Sequence, residues 1–418
     1  MSEREKTIIN FIDQGMVSGV NFITGLLLAR YLGVEGYGQF VLVNAIVLFF
    51  SGIQIALVVS SMMVKAPSLD NNERAIYLNS VVVVNLQFVF IAAVILFILF
   101  LVFNYIYPNN SFSDLIVPLI IFAITFLLQD FIRRYLIVCN KQKSALIIDI
   151  ITYIARVIML FVLALNNILT VSISLWVLAL TCFLSVIFAI YKHSIYISRP
   201  IIKNNTIVIM STWHSHWEFG KWLVAKDIAF WVSSQLPMYI AAILLSVSSV
   251  GIIAAARNIV GILNILFLSM ENFVPLRSAK IYCTYGISGL LDYLKRVNLY
   301  GGLITFSIVI IAALAPEFWL KLFYGEQFRG FGWVIYYWCI YNSIVFFQRP
   351  LTVGIRVIDR TKDIYISNII GMVISILIAY PMITVSNISG VLLTLIIVQL
   401  VVLVCQYLLF KSKLITLK

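Results

Sequence analysis

The sequence predicts an all-α polytopic membrane protein, with about twelve transmembrane helices in two six-helix bundles. Three observations predict it. First, 62 % of the 418 residues are apolar and only 11 % are charged, with a mean hydropathy of +1.05. A soluble domain is about 45–50 % apolar and about 25 % charged, and a soluble core cannot hide such an excess. Second, apolar runs of about 20 residues, enough to cross a bilayer, recur along the whole chain. Third, lysine and arginine fall almost entirely on alternate connections between those runs, as they do in polytopic membrane proteins.

The spans are read in order as 8–31, 37–63, 76–106, 114–138, 144–166, 171–192, 226–246, 251–275, 296–316, 331–353, 364–385 and 389–410. Backbone groups in hydrocarbon must be satisfied within the segment. The runs are too long for barrel strands and are therefore helices. Turn chemistry separates several of them, in "YPNNSFS" (107–113), "NNILTVS" (166–172) and "SVSSVG" (246–251). The charged opening "MSEREKT" leads into a full-length span, which does not have the form of a cleavable leader.

With the N-terminus placed inside, 24 of the 29 Lys and Arg residues fall on the inner side. Arg30, Lys321 and Arg329 fall outside, and Arg156 and Arg257 lie within spans. Both termini are therefore expected to be cytoplasmic. The net charge of +12 reads as topology and as attraction to anionic membrane lipids, with no nucleic-acid partner.

The longest stretch between spans, about 193–225, divides six spans from six. The expected organisation is an N-terminal bundle over 1–195, a cytoplasmic linker over 196–225 and a C-terminal bundle over 226–418. Trp213, Trp217 and Trp222, with histidine and lysine between them, suit a helix lying in the interface or an aromatic belt at the start of span seven. An internal repeat is also visible. "LGVEGYGQFVLVNAIVL" (32–48) aligns without gaps on "LSVSSVGIIAAARNIVG" (245–261), matching Val34 with Val247, Gly38 with Gly251 and Asn44 with Arg257. Two parallel repeats point to a transporter with its site between the halves.

At this point the sequence resembles a known family. "NFITGLLLARYLGVEGYGQFVLVNAI", "RRYLIVCNKQKSALIIDIITYIARVIML" (133–160), "WEFGKWLVAKDIAFW" (217–231) and "VGIIAAARNIVGILN" (250–264) resemble bacterial polysaccharide flippases. These handle O-antigen and exopolysaccharide precursors within the multidrug/oligosaccharidyl-lipid/polysaccharide exporter (MOP) superfamily. The resemblance implies a V-shaped, pseudo-two-fold pair of bundles. It implies alternating-access export of a polyprenyl-pyrophosphate-linked glycan across the bacterial inner membrane, with lipopolysaccharide or a related surface polysaccharide as the destination. Partners implied are that lipid-linked substrate, membrane lipids and other polysaccharide assembly proteins.

Charges inside the spans locate the candidate site. Ionisable groups at that depth are costly, so they face partners or wet cavities. Arg156 lies about 18 Å from the inner end of span five, and Arg257 about 21 Å from the inner side of span eight. One arginine from each half thus reaches a similar depth. Two guanidiniums could hold a pyrophosphate through charge-assisted bonds. Asn44 and Asn264 are read either as sugar-hydroxyl ligands or as interhelical glue, Asn264 sharing a helical face with Arg257. Asp149, seven residues before Arg156, is read either as its partner through Tyr153 or as a coupling carboxylate. Asp130 is expected to pair with Arg133 or Arg134, and Asp13 and Glu271 to anchor inner helix ends. Arg30 is read as a helix C-terminal cation followed by a left-handed cap at Gly33, or as part of the cavity's positive rim.

Neither a cofactor nor a metal is expected. The five cysteines are dispersed, and His214 and His216 lack further ligands. Two other function classes stay open. A cation or drug exporter of the same superfamily requires cavity carboxylates. A membrane-embedded polysaccharide polymerase requires an acid/base set, for which Glu317 and Glu326 in the largest outer connection are the available acids.

Overall fold

The computed structural model describes residues 3–106, 112–193 and 206–417. The 107–111 part of the first predicted turn, residues 194–195 at the end of the predicted N-terminal bundle and residues 196–205 of the predicted linker lie outside them. Among the described residues there are helices and turns but no strand.

Several predicted pairs of spans run on as single helical stretches, broken at one residue. The stretch Glu3–Gln54 breaks at Gly33 (φ 76°, ψ 180°) into α1 (3–32) and α2 (34–65). Five residues of α2, Ile55–Val59, form a π turn. Then follow α3 (Asn71–Ile106), α4 (Ile116–Val138), α5 (Gln142–Leu165), α6 (Val171–His193) and α7 (Thr206–Leu244). Next, α8 (Val247–Val260) is separated by a turn at Gly261 from α9 (263–285). Gly286 (φ 63°) separates α9 from α10 (287–314). A short α11 (Pro316–Tyr324) precedes α12 (Trp333–Val357). Asn387 (φ 51°) divides α13 (361–386) from α14 (388–417). With α8 and α9 counted as one crossing and α11 as a surface turn, the described residues make the twelve spans that hydropathy predicts.

The chain forms two compact units. Unit one holds residues 1–32 and 43–228; unit two holds 33–42 and 229–418.

Unit one is packed on polar pins as well as apolar contacts. Gln54, fully buried in α2, donates to Asn85 Oδ1 (2.7 Å) on α3 and to the Leu127 carbonyl (3.0 Å) on α4. In lipid such bonds and close van der Waals packing hold helices together, since hydrocarbon competes with apolar contacts. The predicted interfacial stretch from Thr206 onward is the first half of α7, and it docks closely. Gly220 meets the backbone of Ala56 and Leu57 in the π turn, Tyr77 Oη lies 2.8 Å from His216 Nε2, and Lys65 bonds Ser215. His216 is fully buried, whereas His214, Trp217 and Trp222 face outward. The "HSH" motif is thus split between a packed face and an exposed one.

In unit two, the segment 33–42 packs on α8. A Cβ built on Gly38 would lie 2.1 Å from the Val247 carbonyl oxygen, and one on Gly251 would lie 2.0 Å from that of Val34. The contact is reciprocal, and its four residues are those that the repeat alignment matches in pairs. Tyr239 Oη donates to the Leu42 carbonyl (2.8 Å) and closes α7 onto the same segment.

Candidate functional site

The buried face of α5 carries Ala145, Ile148, Asp149, Thr152, Tyr153, Arg156, Leu160 and Ala164. Their spacing of three and four residues places one stripe inward. Ile150, Ile154, Ile158 and Phe161 face outward. The apolar residues cover the lipid side and the polar ones turn into the unit, as the cost of bare charge in hydrocarbon dictates.

Two separate charge arrangements share that stripe. Asp149, with no exposure, accepts from Arg133 Nε and from Gln129 Nε2 (3.0 Å), both on α4. Arg133 also donates through Nη2 to Asp13 Oδ2 (2.5 Å) on α1. The predicted helix-end anchor Asp13 is therefore a member of a buried network. Asp130 pairs with Arg134 (2.9 Å) on its own helix.

Arg156, 4 % exposed, has a different set of neighbours. Its guanidinium stands 5.0 Å over the Tyr153 ring, its Nη2 lies 3.5 Å from Cys182 Sγ, and its buried Nε has no partner. Of the two readings of Asp149, direct pairing with Arg156 gives way to pairing with Arg133, which reaches it from the adjacent helix.

In unit two, Arg257 occupies the last turn of α8, where a cation favours the helix C-terminus. Its guanidinium lies 5.9 Å from the Trp338 ring, and Trp338 is fixed by donating to the Ile253 carbonyl (3.0 Å). Tyr37 and Tyr341 lie within its electrostatic reach. Tyr341 also feels Arg349, which stacks on Phe267 at 4.6 Å and pairs with Glu271. A turn at Gly261 and Ile262, both still in right-handed helical conformation, lies between Arg257 and Asn264, and Asn264 sits exposed in the first turn of α9. Asn44 is half-buried in unit one, and Arg30 is exposed there.

The acids of the 316–330 connection are structurally employed. Glu317 accepts from the backbone N–H groups of Gly330 (2.5 Å) and Gly332 (2.9 Å). Glu326 is exposed, and its bond to Lys321 holds its carboxyl below the usual range.

The family described as "polysaccharide biosynthesis protein" matches residues 4–278, a stretch that contains both arginines. The chain belongs to this family. No curated protein matches its sequence. Its fold is shared with solved transporters. A multidrug resistance transporter of the MATE family of the MOP superfamily, in an inward-facing conformation, superposes with a TM-score of 0.75 at 14 % identity, over 95 % of this chain and 94 % of that one. The lipid II flippase MurJ, inward closed, gives 0.71 at 15 % identity, over 97 % and 87 %. A MOP superfamily transporter from Pyrococcus furiosus, described as having a binding pocket of reverse polarity, gives 0.65 at 12 % identity, over 98 % and 95 %. This member of the polysaccharide biosynthesis family is thus an all-α, multi-pass membrane protein with the MOP fold.

Sequence reasoning singled out Arg156, Arg257 and Asp149 as candidates, but not the neighbours Tyr37, Trp338 and Arg349, nor the bonds of Arg133 to Asp149 and Asp13. Arg133 and Arg349 were hidden because each lies close to a span end that the charge pattern places inside, where basic residues are expected. Tyr37 and Trp338 carried no signal among the chain's 58 aromatic residues.

Proposed function

We propose that the protein is a flippase that moves polyprenyl-pyrophosphate-linked oligosaccharide repeat units across the bacterial inner membrane. The units supply O-antigen or a related surface polysaccharide. Transport runs by alternating access, and both termini are cytoplasmic, as the placement of lysine and arginine requires.

The observation that carries this reading is charge allocation. Among the described residues, the span carboxylates are taken: Asp13 and Asp149 by Arg133, Asp130 by Arg134, and Glu271 by Arg349. Among the same described residues, Arg156 and Arg257 bond no carboxylate. What remains for cargo is positive and aromatic, which suits a pyrophosphate carrying sugars. A cation exporter would need the reverse. A polymerase would need acids at liberty, and Glu317 serves a loop. The likeness to the lipid II flippase MurJ agrees in kind, since that protein's cargo is also a lipid. Arg156 and Arg257 are assigned to the pyrophosphate, Asn44 and Asn264 to sugar hydroxyls and Arg30 to the rim.

The test is complementation of a flippase-deficient strain, with inserted protein measured alongside. Arg156→Ala and Arg257→Ala should each abolish glycan export at unchanged protein level, and lysine at either position should restore it in part. Reporter fusions after Asn167 should read outside and those after Lys143 inside. Full export by both alanine variants would sink the site, and an inside reading at Asn167 the topology.

A further inference from the structure

We infer that unit two holds an anionic glycerophospholipid of the phosphatidylglycerol type, with its headgroup at Lys295 and Lys411 and part of an acyl chain in the pocket beside them. This goes beyond the export reading and does not depend on the identity of the cargo.

The pocket lies wholly within unit two, among α10, α12 and α14, and has a volume of about 570 Å³. That falls within the about 300–1,000 Å³ of ordinary ligand sites. Its opening has a local cause. Pro350 lies inside α12 and lines the pocket, and a proline there removes one bond of the helix ladder and displaces the turn before it. One turn on, Gly354 brings the three helices together. A Cβ at that position would lie 3.0 Å from Leu294 Cδ1 on α10 and 3.2 Å from Phe410 Cζ on α14. The pocket is therefore a packed feature beside a tight crossing, with Leu294 and Phe410 in its wall. Phe347, Val404 and Tyr407 are exposed on its open side, where an acyl chain enters from the bilayer.

The lining is apolar apart from a few groups, and two of these are lysines on facing helices, Lys295 on α10 and Lys411 on α14. Both are exposed, at the end of the unit that the charge pattern reads as cytoplasmic. Lys295 has Asp292 at 3.6 Å, but that carboxylate is 68 % exposed and such pairs hold weakly. Among the described residues Lys411 makes no ion pair. Basic pockets between membrane helices at this level take anionic lipid headgroups. The lining contains no arginine. It thus lacks the planar fork that suits a pyrophosphate, while the point charges of lysine suffice for a phosphodiester.

A second observation, independent of charge, specifies the headgroup. Asn298 lines the same pocket one turn from Lys295, and its Oδ1 is buried without a partner. A buried acceptor left unmet is costly, so the site calls for a donor. The lysines ask for a phosphate and Asn298 asks for a hydroxyl beside it. A glycerol headgroup brings both, whereas a choline headgroup brings no net charge and no hydroxyl.

The experiment is native mass spectrometry of the purified full-length protein, titrated with phosphatidylglycerol, phosphatidylcholine, phosphatidylmethanol or a polyprenyl phosphate. The wild type should retain phosphatidylglycerol in preference to the other three. Lys295→Ala and Lys411→Ala should each weaken it about fivefold, and together about twenty-five-fold. Lys362→Ala, which removes a charge at the same end but outside the pocket, should leave it unchanged. Asn298→Ala should bind phosphatidylglycerol and phosphatidylmethanol alike, because only the hydroxyl distinguishes them. Val404→Trp should expel the lipid with both lysines in place, since it fills the pocket from its open side. Equal retention of phosphatidylglycerol and phosphatidylcholine by the wild type would overturn the proposal, and this comparison needs no variant. A double lysine variant no weaker than Lys362→Ala would overturn it as well. Preferential retention of the polyprenyl phosphate, lost in the double variant, would also overturn it and give the pocket to the cargo. Failure of glycan export in the arginine variants would leave these titrations untouched, so the two readings fall separately.

Discussion

Asp149 gives its carboxylate to Arg133, which lies sixteen residues back on the neighbouring helix, and not to Arg156 two turns along its own. The consequence is a division of labour between two arginines in one unit. Arg133 is bound into the protein by two acids, whereas Arg156, among the described residues, meets a tyrosine ring and a thiol.

Removal of Arg133 should therefore be a stability mutation. Arg133→Ala leaves two buried carboxylates facing each other, and breaking a buried pair in this way costs about 3–5 kcal/mol. Thermal unfolding in detergent should show a marked drop, and adding Asp149→Asn should recover part of it as a non-additive pair. Arg156→Ala should lower stability far less. Equal losses for the two arginines would contradict the division.

The crossing of Gly38 with Gly251 predicts steric sensitivity at both positions. Alanine at either one drives a methyl group into a carbonyl oxygen of the other helix, at 2.1 and 2.0 Å respectively. Overpacking of this kind costs about 1–3 kcal/mol. Both variants should unfold at lower temperature, while Gly52→Ala, with nothing within 4 Å of its new Cβ, should match the wild type. A Gly38→Ala variant as stable as Gly52→Ala would show that the crossing is not held at this distance.

Gly33 makes a third prediction. Its φ of 76° belongs to glycine, and it separates α1 from α2. Gly33→Val should reduce the amount of inserted protein in a membrane fraction, because a β-branched residue is excluded there. Glu35→Gln, on an exposed neighbour, should leave the amount unchanged. Similar levels for both would show that the break tolerates a side chain.

The spans were legible because hydrocarbon imposes length and polarity on each helix separately, so a one-dimensional reading suffices. Gly38 and Gly251 were legible as a repeat match. That they touch was not, because the contact joins segments more than two hundred residues apart. The break at Gly33 could be read from glycine, but its ψ of 180° departs from the expected left-handed cap. Asp149 and Arg156 do share a face, as their spacing required. Their separation is decided by Arg133, whose place near a helix end made it read as an ordinary topological charge. The turn at Gly261, between Arg257 and Asn264, was not legible, because the apolar sequence around it gives no stop signal apart from that glycine.

The ten residues 33–42 belong to a unit whose remaining chain starts at residue 229. This sets a timetable for biogenesis. The ribosome delivers the first hairpin to the membrane long before Gly251 exists. At about 5–20 residues per second, the wait is roughly 10–40 seconds. During that interval Gly38 offers lipid a bare strip of backbone with no partner helix. The nascent hairpin must be inserted, held in register and kept from other small-residue helices until α8 arrives. Its own hydropathy, and not its final packing, must carry it through that period. A chain cut after residue 228 would be left permanently at that stage, with its second helix still waiting.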